Sequence, residues 1–184
     1  MPRVKQFVTK EDVSDPAALA VFEKVGSAYG HVRGPSSILM HSPALCDRIF
    51  EVSAYLRFHG QLTPEQVEWV ILTVARERTA RFVWADHIVP AQKAGVRDEF
   101  VQAVRNRAAP VGLTPDESDV FLYVQQLCRM SRTNPSLFDR LKDRYGIPWI
   151  VELTGLTGCY LMLGVVAEGF EIEANRPGDD QLPE

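Results

Sequence analysis

Again and again this 184-residue chain sets a short polar side chain immediately before a proline. Asp15-Pro16, Ser42-Pro43, Thr63-Pro64 and Thr114-Pro115 all obey that rule. Such a pair opens an α-helix. The polar side chain accepts from amides that the first turn leaves unpaired, and proline, having no N–H, fits the first helical position. The residues after each pair keep a helical period, as Val67, Val70, Ile71 and Val74 show. On this reading helices cover about 16–29, 43–60, 64–79, 80–94, 115–132, 135–145 and 148–170. Gly95 is placed to end the fourth of them, and the breaker-rich segment 30–37 is a loop. No alternation of period two stands out. The expectation is an all-α fold of about seven or eight packed antiparallel helices.

Leu113-Thr114-Pro115-Asp116 echoes Leu62-Thr63-Pro64-Glu65 at an offset of 51 residues. Capping alone accounts for the echo better than an internal duplication does.

Hydrophobic residues make up 46% and charged residues 24%, enough apolar material for one full-sized core over residues 1–184. The last ten residues read as a solvated tail or an arm over a neighbour. The net charge of −4, with no basic cluster interleaved with aromatics, argues against a nucleic-acid partner. Cys46, Cys128 and Cys159 are far apart and odd in number, which fits a reducing compartment better than a disulfide framework. With a charged N-terminus that lacks an apolar signal core, this gives a cytoplasmic expectation. The apolar run Leu153–Ala167 is shorter than a bilayer span and is flanked by Glu152 and Glu168, so it reads as a buried helix rather than a membrane helix. Gly155, Gly158 and Gly164 would admit close neighbours there, within the fold or across an oligomer interface.

Two polar residues break the apolar helix faces. Glu68 shares a stripe with Ile71, Leu72 and Ala75, and His87 shares one with Val83, Trp84, Ala91 and Ala94. A polar group on a core-facing stripe must find a partner, and these two can find each other. Desolvation disfavours the charged form of each, so together they can share a proton, Glu68 fixing the tautomer of His87 and His87 acting as general base or acid. The alternative is a satisfied polar contact that pins two helices. Pro90 deprives the Asp86 carbonyl of its usual amide partner and favours a kink beside His87.

Other residues carry weaker signals. Arg33, in the loop with His31, and Arg81, near His87 in sequence, are the cations considered for holding a substrate carboxylate. Trp84 and Phe82 are considered as pocket walls, with core packing the simpler role for Trp84. His41 and His59 read as capping or surface groups. The four histidines form no metal signature, so neither metal nor cofactor is expected.

The window from about 42 to 104 resembles the AhpD-like, carboxymuconolactone decarboxylase superfamily. Peroxidase members there carry a glutamate, eleven intervening residues, Cys-x-x-Cys, three more residues and a histidine. Glu68 and His87 keep that spacing, with Ala80 and Val83 at the cysteine positions. A dithiol–disulfide cycle cannot run without those thiols. Many relatives lacking the cysteines carry Tyr-Glu-Trp before x-x-His. Here Trp84 and His87 match, while Phe82 and Val83 replace the hydroxyl and the carboxylate, which implies a drier pocket. Val151, Glu152, Leu153 and Tyr160 also look like family positions. The resemblance implies an AhpD-like helical bundle that forms trimers or hexamers and works on a small-molecule substrate. It points to a decarboxylase-type lyase using Glu68 and His87 on an organic acid or lactone. Two other readings stand beside it: a hydroperoxide reductase using the non-motif cysteines, and a non-catalytic binding or assembly protein.

Overall fold

A proline in the first turn opens most of the helices, and a capping side chain joins it at Asp15, Thr63, Thr114 and Asn134 but not at Ser42. The computed structural model describes residues 2–108, 110–174 and 182–183. Among them run nine α-helices: α1 (Pro16–Tyr29), α2 (Pro35–Leu39), α3 (Pro43–Phe58), α4 (Pro64–Glu77), α5 (Arg81–Ala94), α6 (Asp98–Arg105), α7 (Pro115–Met130), α8 (Pro135–Tyr145) and α9 (Ile147–Gly169). No strand occurs among the described residues, so the all-α expectation holds. The Asp15 side chain accepts from the Ala17 amide. Thr63 with Gln66, and Thr114 with Glu117, form reciprocal capping boxes. The repeated Leu-Thr-Pro-acid motif is therefore one local solution used twice.

Two helices go beyond the sequence reading. The second half of the segment taken as a loop winds into α2, and all five of its residues are buried. α6 comes after Arg97, which supplies no side-chain cap, yet buries Phe100, Val101, Ala103 and Val104. The drive for α6 is its apolar face, not its punctuation.

α4 is the centre of the molecule. It is buried continuously from Gln66 to Arg76 and packs against α5, α7 and α9. A helix buried on all sides belongs inside the fold, and its buried polar residues Gln66, Glu68, Thr73 and Arg76 then need partners there. α9 is long and apolar enough to cross a membrane, but 56% of its apolar window is buried within this fold. It packs on α3, α4, α5 and α7, the placement of a core helix. Gly164 is where α9 meets the start of α5: a Cβ there would lie 3.3 Å from Ala80 Cβ. Residues 175–181 and 184 of the expected tail lie outside the described residues, while Leu182 is buried against the core.

Candidate active site

The close packing of α4 on α5 brings the two polar residues face to face. His87 Nδ1 and Glu68 Oε2 are 2.8 Å apart, with both side chains buried. A carboxylate can only accept, so Nδ1–H donates, and in the neutral ring Nε2 then carries the lone pair. That second nitrogen points to Tyr160 of α9, whose hydroxyl is 3.4 Å away. The two rings meet edge to face, with centroids 5.3 Å apart. Burial pushes the Tyr160 hydroxyl well above its usual range, so it remains a donor to Nε2.

Arg57 of α3 completes the group. Its Nη2 is 3.9 Å from Glu68 Oε1, too far for a hydrogen bond, and its side chain is 16% exposed. The guanidinium lies over the Tyr29 ring, 5.3 Å from the centroid. Burial opposes its charge, but Tyr160, Glu68, Tyr29 and Asp86 around it outweigh that and hold it protonated. Its Nε is buried with no acceptor. Ser53, one turn earlier, lies close to Tyr29 and Cys159, yet its buried Oγ makes no hydrogen bond of good geometry.

These groups line a pocket with an empty volume of about 510 Å³, its open mouth included. His87, Tyr160, Arg57 and Ser53 lie on its polar wall together with His31, Arg33 and Asp86, and Val25, Phe50, Phe82 and Val83 lie on its apolar wall. Val83 puts hydrocarbon on the pocket wall close to His87 in the helix. Close packing of backbone and ring closes the rim. Gly34 has φ +58, and a Cβ on it would lie 2.1 Å from Phe82 Cε1.

The sequence-derived residues separate clearly. Glu68 and His87 are in contact, and Phe82 lines the pocket. Arg33 lines it too, but is bound to Asp86 at 2.6 Å. Arg81 is exposed, with its backbone amide donating to Glu168. Trp84 is fully buried in the core, outside the pocket wall. Arg57 and Ser53 are site residues that the sequence reading does not single out, and Tyr160 enters it only as a family position. Their signal was present for Arg57: it falls four residues after Ser53 and eight after Ile49, on the stripe α3 buries. Pro90 lines a separate surface depression that also reaches Arg57, Glu68 and Lys93.

Cys46 and Cys128 stand apart from this arrangement, while Cys159 lies beside Ser53 and Arg57. Cys46 and Cys159 are buried and Cys128 is partly buried, and all three are free. Burial pushes Cys46 and Cys128 up to about 12 and Cys159 up to about 11. Among the described residues, no group of three or more His, Cys, Asp or Glu side chains could hold a metal ion.

No protein-family model matches the sequence, and no curated protein matches it. Solved structures do match by shape. The alkylhydroperoxidase AhpD core of an uncharacterized peroxidase-related protein from Ralstonia eutropha JMP134 superposes with a TM-score of 0.77 at 14% identity, covering 95% of this chain and 92% of that one. An uncharacterized peroxidase-related protein from Silicibacter sp. TM1040 superposes with a TM-score of 0.71 at 14% identity, covering 92% of each chain. Along nearly its whole length, then, this chain has the AhpD-like fold.

Proposed function

We propose that this protein is a small acid–base enzyme of the carboxymuconolactone decarboxylase-like type, moving a proton on an organic acid or lactone. The observation that carries the reading is the 2.8 Å bond between Glu68 and His87 Nδ1, which leaves Nε2 at the pocket wall beside Tyr160. Glu68 orients the ring and balances the charge that forms when Nε2 takes a proton. In the decarboxylase form of the reaction, the bond to the departing carboxylate breaks and its electron pair stays on the substrate carbon as an enolate. Carbon dioxide leaves, and His87, having first taken a proton on Nε2 from solvent, donates it to that carbon and returns to the neutral ring. The cation at Arg57 favours the negative charge that develops.

Proton transfer on carbon can be read without knowing the natural substrate. Exchange of carbon-bound hydrogen for deuterium, monitored by NMR across a panel of small acids and lactones, should be catalysed by the wild type. His87→Asn should lose about 10²- to 10⁴-fold of that rate. Equal exchange by the two proteins would sink the proposal.

Peroxide reduction by the non-motif cysteines is the second reading, favoured by the peroxidase-related naming of both solved neighbours. It needs two thiols that can meet, or one thiol and an external reductant. Self-association belongs to the first reading: Val151, Met162 and Val165 expose apolar surface along α9. Analytical ultracentrifugation would find a trimer or hexamer if that face is an interface.

A further inference from the structure

Three polar atoms in the pocket wall lack partners: Arg33 Nε and, on α3, Arg57 Nε and Ser53 Oγ. Arg57 Nε is buried without an acceptor, and Glu68 approaches its guanidinium no closer than 3.9 Å. Ser53 is 1% exposed, and its Oγ is equally unpartnered. A charged group taken out of water with donors unused is costly unless an anion completes it. The planar fork of a guanidinium matches the two oxygens of a carboxylate. Arg33, the other guanidinium lining the pocket, is already held by Asp86 at 2.6 Å.

The pocket also has a continuation. Val25, Tyr29 and Phe50 are walls of both the pocket and a groove between α1 and α3. The groove has an empty volume of about 710 Å³, its open side included, and Ala28 and Ala54 give it small apolar walls. Tyr29 and Phe50 separate the two spaces as an edge-to-face ring pair with centroids 5.4 Å apart.

We propose that the site binds an amphipathic carboxylate, its anionic head on Arg57 and Ser53 and its apolar body lying past Tyr29 in the groove between α1 and α3. This names the substrate class for the acid–base reading above and rests on it for the chemistry, though not for binding. The head is an anchor that stays on the molecule, and the reacting carbon sits beside His87. Arg57 thereby sets which end of the ligand enters first, and the groove sets how long its body can be.

The test is isothermal titration calorimetry on the full chain, with octanoate as the probe and acetate and octylamine as comparisons. Each methylene withdrawn from water is worth about fourfold in affinity. Octanoate should therefore bind at least about tenfold tighter than acetate, and the cationic octylamine should bind no better than acetate. Arg57→Met should cost octanoate at least about tenfold, and Arg57→Lys should restore part of the loss. Ala54→Phe should abolish the preference for the longer chain and leave acetate unaffected. Thermal melting of each variant separates a folding defect from a binding defect, and the wild-type comparison stands whatever the variants do. Octanoate binding no tighter than acetate, or Arg57→Met binding octanoate like the wild type, overturns the proposal. Because calorimetry reads binding without turnover, such a failure leaves the His87 exchange experiment intact. Exchange that ignores His87 would in turn leave the carboxylate site standing.

Discussion

Arg57 Nη2 stands 3.9 Å from one oxygen of Glu68, while the other oxygen of the same carboxylate accepts from His87 Nδ1 at 2.8 Å. Glu68 thus serves a hydrogen bond on one side and a neighbouring positive charge on the other. Glu68→Gln keeps the shape, removes the charge and weakens both relationships. Hydrogen bonds to charged groups contribute about 1.5–3 kcal/mol, so urea unfolding should show a stability loss of that order. An unchanged midpoint would mean that the buried pair contributes nothing to the fold.

Gly34 and Phe82 meet so closely that no side chain fits on Gly34 while the ring stays in place. Gly34→Ala adds a backbone penalty of about 1–3 kcal/mol, since φ 58 and ψ −137 are open to little but glycine, and forces the Phe82 ring away from the rim, since the new Cβ would lie 2.1 Å from Cε1. The total cost should be roughly 2–4 kcal/mol once overpacking is included. A paired Phe82→Ala should recover part of it, because the clash disappears. Thermal melting of the single and double variants checks this, and additive losses would show that the two residues are not coupled.

The thiols should be slow. With Cys159 pushed up to about 11, roughly one molecule in 10⁴ carries its thiolate at pH 7, and Cys46 and Cys128 carry still less. Alkylation of the native protein by iodoacetamide at pH 7 should run far more slowly than in denaturant, as read by mass spectrometry. Rapid labelling of any one cysteine would point back to the peroxide-reducing reading.

An acid limb of stability should trace to α7. Burial works against the charge of Glu117, but bonds from Arg97 Nε at 2.9 Å and the Thr114 amide at 2.7 Å, with the Thr114 side chain, outweigh it and hold the carboxyl below its usual value of 4.5. A carboxyl lowered in the folded state stabilises the fold fully above its unfolded value. That contribution is lost as pH falls from about 4.5 through the folded value. Glu117→Gln should be less stable than the wild type at pH 7, and its stability should fall less steeply below pH 4.5 in denaturant titrations. Parallel curves would remove Glu117 from the acid limb.

Much of the fold is legible in the sequence because helix punctuation is local. Thr63 and Thr114 cap in the structure as their neighbours imply, and α4 carries its burial in its composition. α2 and α6 are harder to read: one hides among residues that also make loops, and the other begins at Arg97 with no capping side chain. In the site, Glu68 and His87 stand out because polar groups on apolar stripes must pair. Arg57 does not, since an arginine on a helix usually reaches water, and its place on a buried stripe shows only once Ser53 and Ile49 are counted with it. Arg81 misleads by its closeness along the chain. Six residues of helix turn it about 240° away from His87, and it is exposed. Tyr160 arrives from α9, 73 residues beyond His87, and no pattern local to either helix announces that meeting.

The central claim is that Glu68 and His87 act as one proton-transferring unit. A double-mutant cycle on deuterium exchange at substrate carbon tests it most directly, comparing Glu68→Gln, His87→Asn and the double variant with the wild type. Residues that act as a unit lose rate non-additively. The account predicts that the double variant is scarcely slower than His87→Asn alone. Losses that multiply through the cycle, or a Glu68→Gln protein that exchanges at the wild-type rate, would contradict it.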